Sequence, residues 1–344
     1  MKYVPIGRTG VYGSVLGLGT MTFGERNLQK RGGVRQDAAD AIVKKAIELG
    51  INFFDSSDIY DGGSSEEVLG KALKDYRDQV LIATKVRGKS GVGVNETGLS
   101  RLHINQEIKK SLRRLGTKWI DIYQFHGWDN VTQLSESIDT MQTLVDQGLV
   151  NYPGISNFHA WQMAMSQTMC EERDYTRFET TQVNYSLLNR DIEHEILPFS
   201  RHSGLTVLAW SPLHGGVLTG KYGDLTDPQP GTRMRDFSFP ERGGYFPPFD
   251  IEKGRRILNV VKSISEEQEA TMAQVSLSWL IDKRVLVLLG ARSMEQFDDN
   301  ARSLDIILTQ EQRERLDKIS DIGQRYPQWM VDRQNSDRKF SILS

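Results

Sequence analysis

The sequence predicts a single-domain α/β protein, a (β/α)8 or TIM barrel spanning residues 1–344 with long loops over its C-terminal face. Three observations carry this: eight short apolar, β-branched-rich runs, amphipathic stretches between them, and a length of 344 residues that accommodates one barrel of roughly 250 residues or more. The runs are Val15–Gly19, Ile51–Asp55, Val80–Lys85, Trp119–His126, Asn151–Ser156, Thr180–Ser186, Leu205–Pro212 and Val285–Ala291. Most are continuous rather than alternating, which suits strands covered on both faces of a parallel sheet. Between them, Asp37–Leu49, Ile104–Leu115, Thr132–Gln147 and Arg255–Ser265 repeat apolar residues three and four apart, the spacing of one helix face. Strand and helix in alternation build right-handed βαβ units, and eight of these close into a barrel. A doubly wound sheet ranks second: it calls for Gly-x-Gly-x-x-Gly after an early strand, and Gly17-Leu18-Gly19-Thr20-Met21-Thr22 fails at the last position.

Taken in order, the strands end on polar residues. The second ends at Asp55, the third at Lys85 and the fourth at His126; Ser156-Asn157 close the fifth, and Gln182 lies in the sixth. For any one of these, a helix cap or a partner for loop backbone explains the residue as well as chemistry does. Recurrence on successive strands is not explained that way, because side chains at the C-terminal ends of barrel strands converge on one mouth. The irregular stretches Arg87–His103 and Tyr222–Asp250 follow the third and seventh strands and are expected over that mouth. Pro153 removes a backbone donor from the fifth strand, which a closed sheet makes an interior one. The polar tail 321–344 carries Tyr326, Trp329, Met330 and Phe340, apolar surface with which to pack back over the barrel.

Composition narrows the function classes. Lys+Arg 43 against Asp+Glu 45 leaves a net charge of −2, without the basic footprint of a nucleic-acid binder. No apolar run approaches the roughly 20 residues of a membrane span, and Met1-Lys2-Tyr3-Val4-Pro5 lacks a signal-peptide core. The single cysteine, Cys170, excludes an internal disulfide framework and a cysteine-based zinc site. The histidines other than His126 show no metal-ligand spacing, and most of them are expected at the surface or at helix ends. A cytoplasmic protein without a metal is the expectation, and the pattern carries no signal for an oligomeric state.

Motifs then sharpen the reading. Asp55-Ser56-Ser57-Asp58-Ile59-Tyr60, Thr84-Lys85, Ile120-Asp121-Ile122-Tyr123-Gln124-Phe125-His126, Gly154-Ile155-Ser156-Asn157-Phe158, Gln182-Val183-Asn184-Tyr185, Trp210-Ser211-Pro212-Leu213 and Gly290-Ala291-Arg292-Ser293 follow one another along the chain. Together they resemble, block by block from about Ile6 to Ile319, the aldo-keto reductase superfamily. The texture, including Gly19-Thr20-Met21-Thr22-Phe23-Gly24, is similar to bacterial members related to voltage-gated potassium-channel β subunits. The chain departs from the family pattern at Gly148–Pro153, which lacks the basic residues common before the fifth strand.

The resemblance implies reduction of a small-molecule aldehyde or ketone with NADPH, and the residues suit that chemistry. Carbonyl reduction needs hydride on carbon and a proton on oxygen. A phenol of pKa about 10 serves at neutral pH only where positive charge stabilises its anion. Lys85 supplies that charge, Asp55 holds the ammonium, Tyr60 is the proton donor, and His126 donates an imidazole N–H to the carbonyl. No side chain donates hydride, so a cofactor is required.

By the resemblance, Ser156, Asn157 and Gln182 bond the nicotinamide carboxamide and Trp210 stacks on its ring. Gly19, Thr20, Met21 and Asp55 lie beside it. Ser211, Pro212, Leu213, Gly215 and Lys221 form the pyrophosphate loop; Gly290, Arg292 and Ser293 meet the 2′-phosphate, and Gln296 and Asn300 the adenosine. The stretch Gly215–Lys221 comes close to a nucleotide P-loop, but Tyr222 replaces the metal-binding Ser/Thr.

Phe23, Trp128, Tyr245, Phe246 and Phe249 are expected to wall the mouth with aromatic surface, favouring aromatic or extended apolar carbonyls. Two rival functions stand beside the enzyme. One is a cofactor-bound regulatory or scaffold subunit of the channel-β type with little turnover. The other is a hydrolase pairing Asp55 with Glu66 or Glu67, which leaves Lys85 and Trp210 without roles.

Overall fold

The computed structural model describes residues 1–24, 33–223, 225 and 247–336. A short antiparallel hairpin comes first, β1 (Tyr3–Pro5) and β2 (Tyr12–Ser14). Then follow β3 (Leu16–Gly19), α1 (Gln36–Glu48), β4 (Phe53–Asp55), α2 (Ser64–Leu73), β5 (Leu81–Val86), α3 (Arg101–Leu115), β6 (Ile120–Phe125), α4 (Leu134–Asp146), β7 (Val150–Ser156) and α5 (Ala160–Glu172). The order continues through β8 (Thr180–Asn184), α6 (Ile196–Ser203), β9 (Thr206–Trp210), α7 (Ile251–Glu267), α8 (Met272–Asp282), β10 (Leu286–Leu289), α9 (Met294–Ala301), α10 (Gln310–Ile319) and α11 (Gln328–Ser336). Strands β3 to β10 close into an eight-stranded barrel in which β10 pairs in parallel with both β3 and β9. The (β/α)8 fold is therefore the observed one, and each of the eight apolar runs became one barrel strand.

Strand geometry explains two cores. Successive side chains point to opposite faces, so Phe54, Ile82 and Tyr123 face outward to a shell packed by the helices. Phe53, Ala83, Ile122, Leu208, Leu286 and Leu288 face inward and fill the barrel. The helices answer with one apolar stripe each; α1, for example, buries Ala39, Ile42, Val43 and Ala46 at the 3.6-residue period. The interior is tight: a Cβ on Gly154 would stand 2.4 Å from Thr180 Oγ1, so only glycine fits there.

The same alternation places the polar mouth. Two residues beyond inward Phe53 comes Asp55, beyond Ala83 comes Lys85, and beyond Ile122 come Gln124 and then His126.

The hairpin plugs the opposite, N-terminal end. Ile6 is fully buried against the inward-facing core. The turn is held by Gly7 N–H to Thr206 Oγ1 (2.8 Å), Arg8 N–H to Glu179 Oε2 (2.8 Å) and Thr206 Oγ1 to Pro5 O (2.7 Å). Pro153 does not break β7: it lies opposite Tyr123 of β6, and its carbonyl accepts from Glu179 N–H at 2.9 Å. The tail behaves differently from the expectation of packing. It is tethered near its start, where Lys253 Nζ donates to Asp321 O (2.6 Å) and Arg325 pairs with Asp191 (3.5 Å). Tyr326 and Trp329 remain 75% and 45% exposed and lean on each other, while Met330 is half-buried; Phe340 lies outside the described residues.

Candidate active site

The polar residues legible at the strand ends meet at the C-terminal mouth. Lys85, fully buried on β5, donates from Nζ to Asp55 Oδ2 at 2.7 Å, to Ser56 O at 2.6 Å and to Tyr60 OH at 3.3 Å. Burial alone would lower the ammonium's pKa, but the Asp55 carboxylate and the Tyr60 phenol beside it outweigh burial and raise it. Its charge is thus kept in a site where it also lies 4.8 Å from the centre of the Tyr60 ring. Asp55 is pinned from both sides, its Oδ1 accepting from Gln182 Nε2 (2.7 Å) and Gln124 Nε2 (3.3 Å). The His126 ring meets Tyr60 edge to face with centroids 5.9 Å apart. Burial, reinforced by Lys85 and Arg87, pushes the imidazole down to about 3, so it is neutral at physiological pH.

Three residues not singled out in the sequence complete this wiring: Gln124, Ser57 and Asp58. Ser57 Oγ lies 3.1 Å from His126 Nδ1 and 2.9 Å from Asp58 Oδ1, with a single hydroxyl proton to share between them. Asp58 is 2% exposed, and its Oδ2 has no partner among the described residues. Burial and the nearby Glu66 carboxylate push its carboxyl up to about 8. Their only signal in the sequence was position between Asp55 and Tyr60; Gln124 shares the inward face of β6 with His126.

Of the residues expected around a nicotinamide, several form one network. Ser156 Oγ donates to Gln182 O (2.9 Å), and Asn157 Nδ2 donates to His126 O and to Ser156 Oγ (both 2.9 Å). Trp210 Nε1 donates to Asn157 Oδ1 at 3.1 Å. Asn157 takes a left-handed backbone, φ 56°, which turns its amide back across the mouth. Beyond Trp210 the chain is left-handed at Ser211, His214, Gly215 and Gly216, and Gly215 N–H is taken up by Ser211 Oγ (3.0 Å). Thr20 is buried, bonding Asp55 O (3.0 Å) and Ser65 Oγ (2.8 Å), so its side chain holds the second strand end rather than facing the mouth. Pro212 is buried; Gly19 and Leu213 are half-buried. Met21 is 38% exposed, and exposed Lys221 lies over the Tyr222 ring at 5.0 Å.

At the end of β10, Gly290 O accepts from Asn300 Nδ2 at 3.4 Å, Gln296 Oε1 accepts from Arg292 N–H at 3.1 Å, and Ser293 Oγ caps α9 through Gln296 N–H. The Arg292 guanidinium forms no ion pair among the described residues. Asp299 is turned away from it, accepting from Gln274 Nε2 (2.8 Å) and Thr271 Oγ1 (3.1 Å). An unpaired cation at a helix N-terminus suits a phosphate, so these residues fit the phosphorylated end of a dinucleotide.

The aromatic wall is corrected. Phe23 is 1% exposed and belongs to the outer core, bridged to Val34. Phe249 packs on Val217, Tyr222 and Leu225 and sets its edge on His214 (5.1 Å), anchoring its own loop. Tyr245 and Phe246 lie outside the described residues. Of the three described, Trp128 alone lines the cavity over His126, set edge-on against Phe158 and tilted against Trp161. That cavity measures about 500 Å³ and is walled mainly by polar groups, including Arg87, Asn130, Asn157, His159 and Gln162. His214 and His103 are buried rather than at the surface; His214 ties Ser186 Oγ (3.2 Å) to Pro247 O (3.0 Å).

The chain is similar over most of its length to several other proteins. An uncharacterized oxidoreductase of Bacillus subtilis, YrpG, is 36% identical over 90% of this chain and 93% of its own. A probable voltage-gated potassium channel subunit beta of Oryza sativa is 31% identical over 95% of this chain and 98% of its own. A putative aryl-alcohol dehydrogenase of Saccharomyces cerevisiae, AAD14, is 29% identical over 94% and 87%. The model of the Aldo/keto reductase family matches residues 15–321, and with the closed barrel and the cluster at its mouth the chain belongs to that family.

Proposed function

We propose that this protein reduces an aldehyde or ketone to an alcohol using NADPH, with Tyr60 as proton donor. The observation that carries the reading is the fully buried Lys85 ammonium, held by Asp55 at 2.7 Å with Tyr60 OH 3.3 Å away. A cation fixed at that distance stabilises the phenolate left when the proton departs, and the buried setting strengthens the effect. When bound, the cofactor supplies hydride to the carbonyl carbon. Ser156, Asn157 and Gln182 are the residues that would hold its carboxamide, Trp210 its ring, and Arg292 its 2′-phosphate.

His126 has a second task at the carbonyl oxygen. Being neutral, it orients and polarises by an N–H donor rather than by charge. For Nε2 to carry that hydrogen, Nδ1 must accept, and so Ser57 must spend its one proton on Nδ1. Asp58 is then left to donate to Ser57, which a carboxyl with a pKa of about 8 can do at neutral pH. A neutral Asp58 carboxyl is thus compatible with that tautomer, reversing the donation from Ser57 that the ionised carboxylate receives.

Following NADPH oxidation at its absorbance with a panel of carbonyls tests the reading; no turnover of any of them counts against it. A regulatory subunit with little turnover is the second reading, favoured by the name of the rice relative. A single burst of one equivalent without steady-state oxidation would support it instead.

A further inference from the structure

Among the described residues, ten line the cavity over His126; none of these is acidic, and Arg87 is the one arginine or lysine in that set. The half-buried Arg77 and Arg114 and the buried Arg190 are neutralised, by Asp121 at 2.8 Å, Glu66 at 2.6 Å and Glu193 at 2.8 Å, whereas Arg87 is exposed. Its Nε donates to Trp128 O at 3.2 Å, and its guanidinium forms no ion pair among the described residues. Its backbone is also unusual, with φ 145°, a region that disfavours any side chain and persists only where the surroundings over-determine it. Here they do: Arg87 O accepts from Gly98 N–H at 2.9 Å and from Thr97 Oγ1 at 3.3 Å. The loop after β5 is thus held so that a guanidinium with no ion pair among the described residues lines the same cavity as the His126 imidazole. Arg87 is one of the positive charges that keep His126 neutral, which fits a short separation between them.

We infer that the substrate of this site carries a carboxylate in addition to its carbonyl, and that Arg87 binds the carboxylate while the carbonyl lies against Tyr60 and His126. The planar guanidinium fork matches a carboxylate through two parallel hydrogen bonds, which a compact ammonium does not. Among the described residues that line the cavity no carboxylate stands to repel such a ligand, and the Asp55 carboxylate behind it is held by Lys85. This rests on the carbonyl-reduction reading and replaces the apolar preference expected from the sequence.

The test compares 3- and 4-carboxybenzaldehyde with their methyl esters, which keep the aldehyde and ring and lose the charge. The better acid should exceed its ester in kcat/KM by roughly fivefold or more, chiefly through KM, a figure set by one charge-assisted contact at an exposed site. Arg87→Gln should bring the acid-to-ester ratio to about one, and Arg87→Lys should retain part of the preference. A ratio near one in the unsubstituted protein, or an unaltered ratio in Arg87→Gln, overturns the inference while turnover of the esters leaves carbonyl reduction standing. If no aldehyde is reduced, the reduction reading falls. Calorimetric titration of 4-(hydroxymethyl)benzoate and its amide, in excess NADP+, then decides the role of Arg87 alone: equal affinities overturn it, and a carboxylate preference lost in Arg87→Gln sustains it.

Discussion

Asp58→Asn isolates the pH dependence built into the wall behind the active site. The Asp58 carboxyl is 2% exposed and is faced by Glu66 from α2, by Glu107 and Arg114 from α3 and by Tyr123 from β6. In the unfolded chain it titrates near 3.8, and in the folded protein at about 8. Between those values the folded state keeps a proton that the unfolded state has released. Stability from this group is therefore complete below the unfolded value and declines as pH rises, levelling above about 8, with a limiting slope of ~1.4 kcal/mol per pH unit. From pH 5 to pH 8 the loss is roughly 3–4 kcal/mol. Asparagine has the same shape, stays neutral throughout and keeps an N–H donor for Ser57.

Urea unfolding followed by tryptophan fluorescence at pH 5, 6, 7, 8 and 9 should show the variant gaining on the unsubstituted protein as pH rises, then running parallel to it. Stabilities that differ by a constant from pH 5 to 9 would refute a neutral buried carboxyl. Turnover gives an independent reading: Asp58→Asn retains it at pH 7, whereas Asp58→Ala lowers it by freeing Ser57 from its role at His126 Nδ1.

Tyr60→Phe should reduce carbonyl turnover by at least about 10²-fold while leaving NADPH affinity, measured by fluorescence titration, nearly unchanged; near-native turnover rejects the proton donor. Arg292→Ala should raise KM for NADPH roughly tenfold, the worth of one bond to a charged group, with little effect on NADH, and an unchanged ratio between the cofactors places the selectivity elsewhere. Burial holds His126 at about 3 and His214 at about 4 against 6.5 unfolded, so their stabilising contribution is present above 6.5 and lost as pH falls below it. His214→Gln should flatten that acid limb in melting curves between pH 7.5 and 4.5, and an identical limb in both proteins speaks against a buried neutral His214.

The eight barrel strands were legible because a strand buried on both faces needs an unbroken apolar run, and such runs are local. Their ends were nearly as plain, since a polar residue that closes an apolar strand of period two must emerge at the mouth. The hairpin of β1 and β2 was not: each strand has three residues, Pro5 ends one of them, and Ile6 is buried only because the barrel leaves an open floor for it. Phe23 and Phe249 read as mouth aromatics from position alone, but burial in the outer core and contact with His214 depend on neighbours far along the chain. Arg87 carried no signal either, because its left-handed backbone is imposed by Gly98 and Thr97 across a loop. Asp58 and Ser57 stood inside a recognisable motif, yet the Ser57 link to His126 spans 69 residues. Asp55 meets Lys85 across 30 residues and Gln182 across 127. Periodicity and strand ends are written by short-range sterics and hydrophobicity and can be read locally; which polar groups touch, which are desolvated and which proton each one holds follow only from closure of the barrel.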